Sequence, residues 1–138
     1  MEVFFYGLFM DRAILLQNGI KPSNPRKGYL NDYALKIGNR ASLVPCNNEK
    51  SYGIVMTVDN DAIHKLYAEA SVADYIPQEV DIIVNRRDPV RAICYNLPVG
   101  LITGTNKIYA VSLYKLAKRK GFPHDYLDKI KKMTKKDA

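Results

Sequence analysis

Two features of the chain have residue types suited to chemistry: a glycine bend just behind an apolar strand, and a solitary glutamate well downstream of it. Val3-Phe4-Phe5-Tyr6 breaks at Gly7 into Leu8-Phe9-Met10 and then meets Asp11-Arg12. A strand running into a glycine turn gathers several backbone N–H groups into one small concavity, because glycine tolerates dihedrals that other residues avoid. Such a nest can hold a carboxylate or a developing oxyanion, although the same pattern also serves as a plain chain reversal. Downstream, Leu66-Tyr67-Ala68-Glu69-Ala70-Ser71-Val72-Ala73 carries one charge, Glu69, among small and apolar neighbours. An acid in that company is either exposed at a helix end or partly buried with a raised pKa. The second setting suits a group that moves protons.

Other chemistries find less support. His64 falls on a helical segment and His124 follows a helix-opening proline, and no His/Cys/Asp cluster has metal-ligand spacing. There is no Gly-x-Ser-x-Gly elbow, phosphate loop or dinucleotide fingerprint. Ten Tyr and four Phe do not alternate with Lys and Arg as a nucleic-acid stacking platform would.

The elements that must position these residues read as follows. Residues 3–6 form a strand, Asp11 to Gln17 a short helix stopped by Asn18-Gly19, and the stretch around Pro22 and Pro25 an extended loop. Arg26 to Ile37 is strand-like, with Tyr29, Tyr33, Leu35 and Ile37 at one parity and so on one face. Ala41 to Val44 is a short strand ended by Pro45, and Cys46 to Lys50 is polar and turn-forming. Tyr52 to Val58 is an almost continuously apolar strand, and Asp59 or Asn60 caps a helix carrying Ile63, Leu66 and Tyr67. Ile76 to Asn85 and Pro89 to Tyr95 read as a hairpin joined through Arg86-Arg87-Asp88, and residues 96–106 as loop. Two helices finish the chain: Ile108 to Lys120, stopped at Gly121, and one opened by Pro123 with Tyr126, Leu127, Ile130 and Met133 on one stripe. Strands with few helices between them argue for an α+β fold: a small, mostly antiparallel, curved or barrel-like sheet with helices packed on it.

With 138 residues, 47% apolar and 25% charged, the chain suits one globular domain spanning 1–138, its last few residues a Lys-rich disordered tail. No apolar run approaches the roughly 18 residues of a membrane span. The start lacks a secretory pattern, so a cytoplasmic protein with Cys46 and Cys94 as free thiols is expected. The net charge of +7 is local. Residues 1–106 hold 11 basic and 11 acidic residues, whereas 107–138 hold 10 basic and 3 acidic. A basic helix face on a charge-balanced body reads as a solvated surface first and a phosphate-binding patch second, and argues against nucleic acid as the partner.

Taken in order, Phe5-Tyr6-Gly7-Leu8-Phe9-Met10, Gly28-Tyr29-Leu30, Ala34-Leu35, Ala41-Ser42-Leu43-Val44-Pro45, Tyr52-Gly53-Ile54-Val55 and Glu69, then Tyr95, Tyr109 and Gly121-Phe122-Pro123 with Tyr126, resemble the gamma-glutamylcyclotransferase family. The resemblance runs to about Met133. It implies a small mixed α+β barrel-like domain that cyclises a γ-glutamyl group to 5-oxoproline, releases an amino acid or amine, and needs no metal or organic cofactor. It also implies that Tyr6, Gly7, Leu8, Phe9 and Met10 hold the substrate, that Glu69 is the general base and acid, and that Tyr95 and Tyr109 line the same cavity. Two departures stand out: many relatives carry Ser-Asn where this chain has Leu8-Phe9, and the glutamate is often followed by Gly rather than Ala70. The first removes side-chain hydrogen bonds and adds bulk, which makes the pocket more apolar. A non-catalytic module binding a small molecule or partner in the same cavity is the alternative reading.

Overall fold

A hairpin of two long strands, β2 (Ser23–Ile37) and β3 (Ala41–Thr57), organises the molecule. The structure is a computed structural model and describes residues 1–85 and 88–135. The hairpin corrects two expectations. Residues 23–25, read as loop, belong to β2, and β3 continues through Pro45 rather than ending there. The polar stretch behaves locally as its composition suggests. Tyr33 pairs with Pro45 and Asn31 with Lys50, so residues 46–49 bulge outward opposite Asp32 alone. Asp32 takes a positive φ of 64°, and its carboxylate accepts the Asn48 N–H at 3.0 Å.

That bulge also explains why the parity reading of β2 fails. Before it, Gly28 and Leu30 point inward; after it, Leu35 does. A single irregular residue moves the following side chains to the other face. Tyr29 is therefore only half-buried, and Leu30, absent from the expected face, is in the core.

The other strands are β1 (Glu2–Phe5), β4 (Ile76–Ile82) and β5 (Val90–Asn96), and the sheet order is β2-β3-β1-β5-β4. Every neighbouring pair is antiparallel except β1 with β5. The two edges meet. The Tyr29 N–H donates to the Ile83 carbonyl at 3.1 Å, and the Ile83 N–H returns a bond to Tyr29 at 2.9 Å. This pair closes the sheet into a small barrel, as the α+β barrel-like expectation had it. Gly28 permits the closure, because a Cβ there would stand 2.7 Å from both the Ile82 Cγ2 and the Ile83 carbonyl oxygen. Gly28→Val is expected to force the seam apart and cost about 1–3 kcal/mol, the range for overpacking. Thermal unfolding should reveal it, and an unchanged Tm would show that the seam does not constrain the fold.

The helices are α1 (Arg12–Gln17), α2 (Asn60–Tyr67), α3 (Lys107–Arg119) and α4 (His124–Thr134), with short 3-10 turns at Leu8–Met10 and Val99–Leu101. Asp11, Asp59 and Asn106 cap α1, α2 and α3 through side-chain oxygens. The apolar stripe expected on α4 is present: Tyr126, Leu127 and Ile130 are buried, facing Leu113, Leu116 and Ala117 of α3 in one continuous core. One charge of the basic C-terminal excess is structural: Lys129 of α4 pairs with Glu49 of β3. Lys27 of β2 donates to the Lys120 backbone carbonyl at the end of α3. Cys46 is exposed and Cys94 buried, both free. No helix among the described residues is long and apolar enough to cross a membrane. The Arg86-Arg87 connection and the last three residues, expected as a tail, lie outside the described residues.

Candidate active site

β1 delivers the chain into the bend at Gly7, and the 3-10 turn that follows folds it back toward the barrel mouth. The Met10 N–H closes on the Gly7 carbonyl at 3.0 Å. Gly7 itself has φ −108° and ψ −152°, extended backbone that other residues also adopt. Its requirement is spatial: a Cβ would stand 2.4 Å from the Tyr109 hydroxyl. Tyr109, on the first turn of α3, brings its oxygen into the concavity, where it accepts the Leu8 N–H at 3.2 Å. No partner for the Phe9 N–H is found among the described residues. The bend therefore holds a tyrosine hydroxyl whose proton remains available for donation, rather than a bare row of amides.

The bend opens on a cleft with two connected parts. A wide arm of about 280 Å³ is lined by Leu8, Phe9 and Ile14 on one side and Tyr67, Val72 and Tyr75 on the other. A narrow throat of about 50 Å³ leads inward past Gly7, Tyr6, Tyr95 and Tyr109. Aromatic contacts fix these walls. Tyr67 stacks on Tyr95 with ring centres 3.8 Å apart and planes 7° from parallel. Phe9 meets Phe5 and Tyr67 edge-on, each at 6.3 Å. The Tyr6 hydroxyl donates to the Tyr95 carbonyl at 2.7 Å and that of Tyr75 to the Ala41 carbonyl at 2.5 Å. Both are thus committed to the scaffold.

Arg40 stands at the lip, between β2 and β3. Its guanidinium lies over the Tyr75 ring at 5.8 Å and reaches Asp74 at 3.2 Å, and it is the one charged side chain among the described residues lining the cleft.

Of the residues singled out in the sequence, Tyr6, Gly7, Leu8, Phe9, Tyr95 and Tyr109 are brought together around this cleft. Two are not. Met10 is 1% exposed, so its side chain belongs to the core while its backbone braces the bend. Glu69 is exposed and does not line the cleft; it lies on the turn after α2, two residues past Tyr67 and two before Ser71, both of which do. Of the two settings open to it, exposure at a helix end and partial burial, the structure shows the first. Tyr67, Tyr75 and Arg40 are the additions. Nothing in their spacing marks them, because stacking and a distant hairpin turn place them.

The phenols hold their protons firmly. Burial raises the pKa of Tyr6, Tyr67 and Tyr75, and it pushes Tyr109 up to about 12, opposed by the Leu8 N–H bond. Near neutral pH these groups are hydrogen-bond donors. They also couple stability to alkali. Below pH 10, the ordinary value, folded and unfolded chains both keep these protons and the contribution is whole. Between 10 and about 12 the unfolded chain sheds protons first, so stability falls as pH rises. Tyrosinate absorbance is expected to rise cooperatively with loss of the fold in that window. Smooth titration near pH 10 with the fold intact would contradict the burial.

No protein-family model matches the chain, and no curated protein matches it in sequence. Solved structures do match its fold. A gamma-glutamyl cyclotransferase superposes with TM-score 0.78 at 17% identity, over 100% of this chain and 90% of its own. An uncharacterised human protein gives 0.79 at 18% identity, over 99% and 89%. A yeast gamma-glutamyl cyclotransferase specific to glutathione gives 0.69 at 11% identity, over 97% and 95%. The chain has the gamma-glutamylcyclotransferase-like fold, as its motif order implied.

Proposed function

We propose that the cleft cyclises a γ-glutamyl group to 5-oxoproline and releases an amino acid or amine. The observation that carries this reading is the bend itself. Tyr109 Oη accepts from the Leu8 N–H and keeps its own proton, which makes a polarised donor at the point where a γ-carbonyl oxygen would gain charge. The fold shared with gamma-glutamyl cyclotransferases supports it independently.

The reaction needs little beyond placement and one proton carrier. The substrate's α-amine attacks its own γ-carbonyl, so confinement supplies much of the acceleration. The amine gives up a proton as the C–N bond forms, and the departing nitrogen gains one as the second C–N bond breaks. One carboxylate can take the first proton and return it. Glu69 is the candidate, on the turn between Tyr67 and Ser71, and it acts from the water side of the cleft. The chemistry as written calls for no metal or organic cofactor.

Incubation with γ-glutamyl dipeptides is expected to release 5-oxoproline stoichiometrically with the free amino acid. The exposure of Glu69 favours a second reading, a binding module that uses the cleft without turnover. Saturable binding of the same dipeptides with no 5-oxoproline would establish that reading and overturn the first.

A further inference from the structure

The two parts of the cleft differ in chemistry, and the difference bears on the group that leaves. Phenols crowd the narrow end: beside Tyr109, whose proton faces the γ-carbonyl, Tyr67 and Tyr95 line it, and no hydrogen-bond acceptor for their protons is found among the described residues. Such donors match the carboxylate of a γ-glutamyl unit. The wide arm offers the opposite. Leu8, Phe9, Ile14 and Val72 make its lining predominantly apolar, with Asn39 and Ser71 as uncharged polar residues beside them, so burying an apolar side chain there is favourable. The charged residue among the described residues lining it is Arg40, at the lip. It uses one terminal nitrogen on Asp74 and holds the other 3.4 Å from the Ser71 carbonyl, which leaves further N–H donors of its five unused. Stacking over Tyr75 fixes the plane of the guanidinium.

We infer that the cleft selects γ-glutamyl conjugates of bulky apolar amino acids, the side chain lying against Leu8, Ile14 and Val72 and its carboxylate against Arg40. This rests on the cyclotransferase reading. Leu8 then has a consequence for specificity, since it lines the wide arm, whereas Phe9 lines both parts of the cleft.

The test compares γ-glutamyl-leucine with γ-glutamyl-glycine and γ-glutamyl-glutamate, and adds γ-glutamyl-3-methylbutylamine, which is the leucine conjugate without its carboxylate. The expected kcat/KM for leucine exceeds that for glycine by about 10-fold or more, since one methylene in a fitted apolar pocket already gives about 10–200-fold. Val72→Ser narrows that ratio, and Arg40→Gln narrows the advantage of leucine over the methylbutylamine. Equal turnover of the glycine and leucine conjugates, with 5-oxoproline formed from both, overturns the inference and leaves the reaction standing. Absence of 5-oxoproline from every conjugate overturns the reaction instead. Calorimetric Kd values on the same compounds then decide the inference: tighter binding of the leucine conjugate upholds selection, and equal or undetectable binding ends it.

Discussion

Glu69→Gln is expected to lower 5-oxoproline release by about 10²–10⁴-fold, the range for removing a positioned acid–base group. Glutamine keeps the shape and loses only the ability to carry the proton. The exposure of Glu69 makes the experiment clean. Its side chain has no hydrogen-bond or ion-pair partner among the described residues, so the substitution should leave stability within about 0.5 kcal/mol. Any large fall in kcat is then chemistry, not unfolding. Asp74→Asn serves as the comparison, since Asp74 is the carboxylate paired with Arg40. If Glu69→Gln retains turnover near that of the parent while Asp74→Asn abolishes it, the proton carrier is Asp74 and the motif-based assignment of Glu69 falls.

The contrast between Gly7 and Glu69 shows how much of the site could be read in advance. The bend was legible because local sequence builds it: an apolar strand, a glycine and a short turn are consecutive. Its physical reason was not. Gly7 has ordinary dihedrals, and the space it leaves is filled by Tyr109 from a helix at the other end of the chain. Glu69 was visible as the one charge in an apolar stretch, but exposure depends on how the turn after α2 meets β4, which no window of sequence reports. Tyr67 and Tyr75 flank that glutamate and read as ordinary helix and strand-edge residues until Tyr95 stacks beneath the first and Ala41 accepts from the second.

The fold shows the same division. Capping residues, the α4 stripe and the β4–β5 hairpin follow short-range rules and were placed well. The change of face in β2 depends on one residue, Asp32, in a left-handed conformation, and the barrel closes through a single pair of residues far apart in the chain. Amphipathic alternation carries no record of either. The basic C-terminal segment gave the strongest compositional signal, yet its Lys129 is tied to Glu49 of β3 and so joins helix to barrel.

Tyr109→Phe is expected to cut kcat by about 10²–10³-fold, as loss of one oxyanion donor does, with little change in KM. Gly7→Ala should reach a similar loss by another route, because a Cβ 2.4 Å from the Tyr109 oxygen must drive the hydroxyl out of the bend. That displacement also disturbs packing, so Gly7→Ala alone should lower Tm. The double variant separates the two effects. With the hydroxyl gone, the nearest tyrosine atom to the new Cβ is Cζ at 3.8 Å, an ordinary contact. Gly7→Ala/Tyr109→Phe should therefore recover most of the stability lost in Gly7→Ala while remaining as slow as Tyr109→Phe. Such non-additivity, in stability and in rate, is the signature of two residues acting through one atom. Additive losses in both measurements would mean that the tyrosine hydroxyl and the glycine bend act separately, and the donor to the developing oxyanion would then have to be sought in the backbone of Phe9.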